Sequence, residues 1–361
     1  MDFDLNEDQR LLQESVRRFL AEKSPIERVR SVMESEYGHD LELWRDLNEL
    51  GIGSLAVPVR HGGLGSEFLD AVLVSEELGR ACTPGPFLTT AMASIGLAEG
   101  DDEQSKAEWL PKLASGEAIV AVALGEAGSE WRPDQLRTKV ENGCVSGENP
   151  LVCYGGLADA FVVAAVDVSG PGLWLVERGC PEVEVVALRG SDMTRRLDAV
   201  TFTGARARRI GGMHALVRTL DAGLILIAAD AYGGARKCLD MTVKYALERE
   251  QFGQPIGAFQ AVKHQLADMT SVIEPALAFL WYTAHAYDRM PEQASRHAAM
   301  AKAWLCDLFD RTVAGAIELH GGIGFTWEFD LHLWFRRAIF NRSFLGDSNL
   351  HRDRAAAMAG W

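Results

Sequence analysis

Apolar residues recur at helical spacing over residues 6–23, where Leu12, Val16, Phe19 and Leu20 form one stripe. Asn6 can cap this helix, and Glu7 and Asp8 complement its positive end. A second helix is expected over about 40–50, ending at Gly51, and a further one carries Val72, Leu73, Glu76, Glu77 and Leu78. From about 118 the period changes. Short apolar, β-branched runs at 118–124, 161–166, 172–176, 183–188 and 197–202 alternate with Gly, Pro and Asp, which predicts a small antiparallel sheet. Helical spacing returns from about 211, with long helices at 222–250, 259–288 and 292–320 that imply a bundle. The expected class is α+β: an N-terminal helical domain over 1–117, a β domain over 118–208 and a helical bundle of four-helix type over 209–361.

Composition narrows the partners. The chain has 361 residues, 24% charged and 48% hydrophobic, as in soluble globular proteins. A formal net charge of −15 and the lack of any basic run exclude nucleic acid as an expected partner. Six scattered cysteines, with no C-x-x-C and no Cys/His cluster, argue against a metal site or a disulfide framework. The acidic start MDFDLNEDQ lacks a leader pattern, and no apolar run reaches the ~20 residues needed to span a bilayer. A cytoplasmic protein without membrane contact is the expectation. Pro58 to Gly65 is glycine-rich but lacks the Lys-Ser/Thr of a phosphate cradle, so a helix–helix connector is the simpler reading.

One stretch carries chemistry. Residues 245–269 read YALEREQFGQPIGAFQAVKHQLADM. A helix carrying Arg249 is broken by two glycines and a proline, and Phe259-Gln260 opens the next helix. A guanidinium beside a turn with free N–H groups suits a diphosphate, since it pairs two oxygens at once. Taken alone, such an arginine is ordinarily a solvated helix end. The wording R-x-x-F-G-x-x-I-x-x-F-Q-x-x-x-x-x-L-A-D-M resembles the acyl-CoA dehydrogenase family. So do P-x-x-x-G-G-x-G followed by E-E-L-G-R (76–80), the helical–β–helical order, and Glu318-Leu-His-Gly321-Gly322-Ile-Gly324-Phe325. The resemblance implies that Arg249, Gln251, Phe252, Ile256, Phe259, Gln260 and Val262, with Glu318, Gly321 and Gly322, contact an FAD whose ring sits in a neighbouring subunit. Glu318 stands where the family has glutamine, which leaves a carboxylate near a diphosphate.

The same resemblance marks losses. The family's base is a glutamate in a Tyr-Glu-Gly-Thr segment, here Phe344-Leu345-Gly346-Asp347, or a glutamate on the preceding long helix, here Gly223. Neither Leu345 nor Gly223 can accept a proton. Asp221 is the nearby substitute. Asp347 replaces a small hydroxyl residue of the family, and Gly125, Leu151 and Cys153 replace flavin-facing side chains in the β domain, where the family's Thr-Glu-Pro and Gly-Ser-Asp stretch shortens to residues 125–130. No catalytic residue is therefore assigned. The pattern implies a subunit of a heteromeric, FAD-dependent acyl-CoA dehydrogenase, like those of bacterial steroid side-chain catabolism. It would have lost its own site and would complete the shared FAD of an unlike, glutamate-bearing partner that desaturates an acyl-CoA. The alternatives are a homo-oligomeric flavoprotein acting on a CoA thioester with Asp221 as a relocated base, and a flavin-free scaffold. Trp281, Trp327, Trp334 and Trp361 are candidate interface aromatics, with core packing the expected use for most of them.

Overall fold

The computed structural model describes residues 4–35, 38–126 and 131–361. Six helices come first: α1 (Glu7–Lys23), α2 (Ile26–Glu34), α3 (Leu41–Glu49), α4 (Phe68–Arg80), α5 (Phe87–Ala98) and α6 (Glu103–Ser115). Asn6 caps α1 as its sequence predicts: Gln9 N donates to Asn6 Oδ1 at 2.8 Å, and the Gln9 side chain accepts from Asn6 N. Val16 and Leu20 are buried. Arg17, on the same helix, forks onto Glu77 of α4 at 2.9 and 2.6 Å. The loop from Pro58 to Gly65 is a connector. A Cβ on Gly63 would lie 1.6 Å from Val57 O, so that glycine serves a close approach within the chain.

Eight strands follow: β1 (Val120–Ala123), β2 (Lys139–Glu141), β3 (Cys144–Cys153), β4 (Ala160–Asp167), β5 (Gly170–Glu177), β6 (Val183–Leu188), β7 (Leu197–Arg206) and β8 (Arg208–Gly211). They form one sheet in the order β6-β7-β3-β2-β4-β5-β8, with β1 beside β4. The sheet is mostly antiparallel. Against expectation, β1 and β2 pair with β4 in parallel. β1 follows directly from the α6 connection and enters the sheet along β4, a crossover that strand-by-strand periodicity does not reveal. Phe161, Trp174, Val200 and Phe202 form a core within this domain.

The C-terminal part holds α7 (Met213–Glu248), α8 (Gln260–Arg289), α9 (Pro291–His320), α10 (Leu331–Ser343) and α11 (Ser348–Met358). The bundle thus has two short helices besides the three long ones expected. α7 is buried on every face from Thr219 to Ala235, which explains its all-round apolar sequence. Glycine lets it approach α4 backbone to backbone. A Cβ on Gly79 would lie 2.1 Å from Asp230 O, and one on Gly233 would lie 1.9 Å from Glu76 O. Trp334 is buried in this core and donates to Gly79 O at 3.1 Å, whereas Trp361 is 90% exposed and Trp327 is also exposed. Among the described residues no helix is long and apolar enough to cross a membrane, and no group of His, Cys, Asp or Glu could hold a metal ion.

Two buried features at the α4–α7 contact set stability. Arg337 of α10 is fully buried and meets Asp230 at 3.1 Å and Asp192 at 3.3 Å, while Arg195 also pairs with Asp230 at 2.5 Å. This network ties α7 and α10 to the β6–β7 connection. Nearby, Glu76 is buried with Oε2 lacking any partner. Burial, reinforced by Glu77, pushes its carboxyl up to about 8 from 4.5. The folded state therefore holds a proton that the unfolded chain releases near pH 4.5. Stability falls as pH rises from about 4.5 to about 8, by about 3 to 5 kcal/mol at ~1.4 kcal/mol per pH unit. Glu76→Gln removes this loss. Thermal melts are expected to coincide with the parent at pH 4.5 and to lie well above it at pH 9; equal melts at pH 9 would contradict the buried, unpartnered carboxyl.

Candidate functional site

α7 ends at a two-residue hairpin. Glu250–Gln251 pairs antiparallel with Gln254–Pro255, and Phe252 and Gly253 form the tip with φ of 52° and 78°. Positive φ at both tip residues is the turn geometry that matches strand twist. For phenylalanine it costs on the order of 1 kcal/mol, and the ring is nonetheless 93% exposed. Its ring contact is edge-to-face with Phe259 at 6.1 Å. Ile256 N donates to Arg249 O at 2.7 Å and closes the hairpin. Ile256, Phe259 and Val262 are half-buried, while Arg249, Gln251 and Gln260 are exposed. Gln251 Nε2 donates to Glu250 O at 2.6 Å.

The second motif ends α9. Glu318 is exposed in the last turn, and its carbonyl accepts from Gly321 N. Gly321 adopts φ 64°, ψ −142°, which only glycine tolerates. Tyr245, one turn before Arg249, stacks on His320 at 4.2 Å. The two motifs predicted from sequence are thus joined at one corner of the bundle.

The glycines of this corner divide by cause. Gly253 and Gly321 need a positive φ. Gly257 and Gly324 sit against backbone, since added Cβ atoms would lie 2.9 Å from Ala246 O and 2.8 Å from Ile317 O. Gly322 has neither reason: its φ is not positive and a Cβ would meet nothing within 4 Å. Its exposed backbone is free for an outside group to approach. The hairpin joined to this turn through Tyr245 and His320 adds an exposed guanidinium and an exposed phenyl, groups of the kind that suit the diphosphate and a ring of an FAD.

The chain's own base positions are filled by apolar side chains. The two family base positions meet in space: a Cβ on Gly223 would lie 2.8 Å from Leu345 Cδ1 and 2.6 Å from Met92 Cε. Leu345 and Met92 are buried, so apolar side chains fill this place. Leu345 takes φ 61° on a turn held by two buried donor side chains. His351 Nε2 donates to Leu345 O at 2.8 Å, and Lys302 Nζ donates to Gly346 O at 2.7 Å. Burial lowers the His351 pKa to about 3, so the ring is neutral at physiological pH. Over Gly125 lies Trp131, 2.4 Å from where a Cβ would stand. Its ring also packs edge-on against Phe344 at 5.2 Å. Asp347 caps α11, accepting from Leu350 N at 2.8 Å, so this helix end is served by the chain's own carboxylate. Cys153 is buried, Leu151 is partly exposed, and residues 127–130 of the shortened stretch lie outside the described residues. The flavin-facing side chains of the family are thus absent at these positions, while an open hollow lined by Trp131, Gly346, Asp347, Leu350, His351 and Arg354 lies beside them.

Asp221 is engaged as well. It is buried, Arg354 Nη2 donates to its Oδ1 at 2.8 Å, and Ser295 Oγ donates to Oδ2. Burial raises its pKa, opposed by Arg354. Sequence reasoning missed Trp131, Met92 and the Tyr245–His320 joint. Trp131 follows the shortened stretch closely and could have been suspected there; no sequence signal couples Tyr245 to a ring 75 residues away.

Comparison with known proteins agrees with this architecture. The family described as acyl-CoA dehydrogenase, N-terminal domain, matches residues 6–117, and acyl-CoA dehydrogenase, C-terminal domain, matches 211–359. The acyl-CoA dehydrogenase IpdE2 of Mycolicibacterium smegmatis is 34% identical over 344 residues, 95% of this chain and 96% of that protein. The Tcur3481-Tcur3483 steroid ACAD (G363A variant) superposes with a TM-score of 0.92 at 30% identity, covering 98% of each chain. The ChsE4-ChsE5 complex from Mycobacterium tuberculosis gives 0.93 at 29% identity, covering 100% and 99%. With both family domains matched in order around the sheet, the chain belongs to the acyl-CoA dehydrogenase family of oxidoreductases acting on CH–CH donors.

Proposed function

We propose that this chain is the base-lacking subunit of a heteromeric, FAD-dependent acyl-CoA dehydrogenase, and that it completes the FAD site of an unlike partner carrying the catalytic glutamate. The observation that carries this reading is Gly322, a glycine that nothing in its own chain requires, on a turn joined through the Tyr245–His320 stack to the hairpin that exposes Arg249 and Phe252. Arg249, Gln251, Phe252, Ile256, Phe259, Gln260 and Val262 would hold the cofactor from one side, and Gly321-Gly322 from the other. Glu318 keeps its backbone role at Gly321 and is not needed as an anion contact. FAD supplies the hydride acceptor for α,β-desaturation; the base comes from the partner. Two of the similar structures are named as a steroid ACAD and as a two-component complex, which favours an acyl-CoA bearing a steroid remnant and a complex of unlike chains; a cytoplasmic place for it is part of the proposal. An open surface suits such a partner. None of residues 260–272 of α8 is buried, although Val262, Leu266, Met269 and Val272 lie among them, and Trp304 lines two adjoining apolar hollows.

The relocated-base reading is disfavoured because Asp221 has both oxygens engaged and lies inside the bundle. A flavin-free scaffold leaves Gly322 and the strained Phe252 without a purpose. The test is acyl-CoA-dependent reduction of an electron-accepting dye. The isolated chain should be inactive, and Leu345→Glu should not revive it, because Trp131 and Met92 still fill the site. Co-expression with a glutamate-bearing relative should give turnover that Glu→Gln in the relative removes. Turnover by the isolated chain, lost in Asp221→Asn, would establish the relocated base instead.

A further inference from the structure

His320 is 4% exposed yet carries a nitrogen without a partner: Nδ1 donates to Ala316 O at 2.7 Å, and Nε2 meets nothing. A buried histidine with one idle nitrogen serves through its ring rather than its polarity. That ring is clasped. Tyr245 stacks on it at 4.2 Å with 25° between planes, and Phe329 tilts against it at 4.7 Å. Tyr245 and Phe329 also touch edge-on at 6.3 Å. Each ring anchors a different segment. Tyr245 O accepts from Arg249 N at 2.8 Å, so its ring roots the hairpin that presents Arg249 and Phe252. His320 immediately precedes Gly321-Gly322. Phe329 belongs to the turn before α10.

We propose that His320, held between Tyr245 and Phe329, is a positioning residue that sets the Arg249 turn at a fixed distance from the Gly321-Gly322 turn, so that one diphosphate-containing ligand engages both. This rests on the functional reading above. An arginine and a glycine backbone contribute to the same ligand only when their separation is fixed, because each freely moving turn would have to be ordered at the moment of binding. A three-ring joint does this without occupying the exposed surface itself. Aromatic pairs add about 0.5–1.5 kcal/mol each beyond burial, enough to hold one arrangement of two short turns.

The test uses the complex co-purified with a glutamate-bearing partner, and two probes. FAD carries the adenosine diphosphate half that the corner would hold, and FMN lacks it. His320→Ala is expected to weaken FAD retention about tenfold while FMN retention stays within about twofold. His320→Phe, which keeps a ring in the clasp, should restore FAD. Tyr245→Leu, at a half-buried position on the helix surface, should repeat the His320→Ala pattern if that variant folds poorly. Equal losses of FAD and FMN in His320→Ala and Tyr245→Leu would overturn the positioning role in favour of a general structural one. So would unchanged FAD retention in both, provided Arg249→Met loses FAD. If Arg249→Met also keeps FAD, the corner is not a cofactor site and the functional reading fails with it.

Discussion

Gly322→Val and Arg249→Met are each expected to strip FAD from the mixed complex while leaving the isolated chain as stable as before. Arg249 is exposed and its side chain makes no ion pair among the described residues; its backbone bonds to Tyr245 O and Ile256 N. Gly322 has open space where a side chain would go. Surface changes of this kind alter stability by about 0.5 kcal/mol or less. Losing charge-assisted hydrogen bonds to a diphosphate costs about 1.5–3 kcal/mol, or roughly ten- to a hundredfold in affinity. The check is FAD absorbance per complex after dilution and filtration, paired with melts of the isolated chain. Gly257→Ala is the contrasting control. Its Cβ would crowd Ala246 O, so it should lower the melting temperature. Retained FAD in both Gly322→Val and Arg249→Met would remove the corner from the cofactor site.

Arg337→Met is expected to be the most damaging single change to the fold. Arg337 is fully buried between Asp230 and Asp192, and it also donates to Thr83 O at 3.1 Å. Methionine matches its length but leaves Asp192 inside the protein without its cation and Asp230 with Arg195 and Asn341 only. Breaking one side of a buried charge network costs about 3–5 kcal/mol, a large share of the stability of most domains. Urea denaturation should show a midpoint far below the parent, or the protein should fail to accumulate. Adding Asp192→Asn should recover part of the loss. A midpoint unchanged in Arg337→Met would show that the network contributes little.

The helical parts of the fold were the most legible in the sequence, because a period of 3.6 and end signals such as Asn6, Gly51 and Gly253 act locally. α7 begins at Met213, well before the expected 222, since its early turns carry polar residues such as Arg218 that blur the stripe. β3 is the longest strand not read as an apolar run. Its burial follows no strict alternation, and its register with β7 slips twice. The open corner was legible because glycines, an arginine and an aromatic sit close together in sequence. The filled base positions were only half legible. The missing carboxylates at 223 and 345 could be counted, but the filling of their space by Met92 and Trp131 depends on contacts between distant segments. The Arg337 network was invisible for the same reason: its members come from 192, 195, 230 and 337, each unremarked alone.

The most direct measurement is the number of FAD molecules per chain. The chain is expressed alone and with a glutamate-bearing relative, purified by gel filtration, and its flavin is measured by visible absorbance against protein concentration. A colourless chain alone, and a coloured mixed complex holding clearly less than one FAD per chain, is the expected result, because in this chain Leu345 stands at the base position and Trp131 lies over Gly125. One tightly held FAD per chain without any partner would contradict it, and would mean that the space over Gly125 opens to receive a flavin.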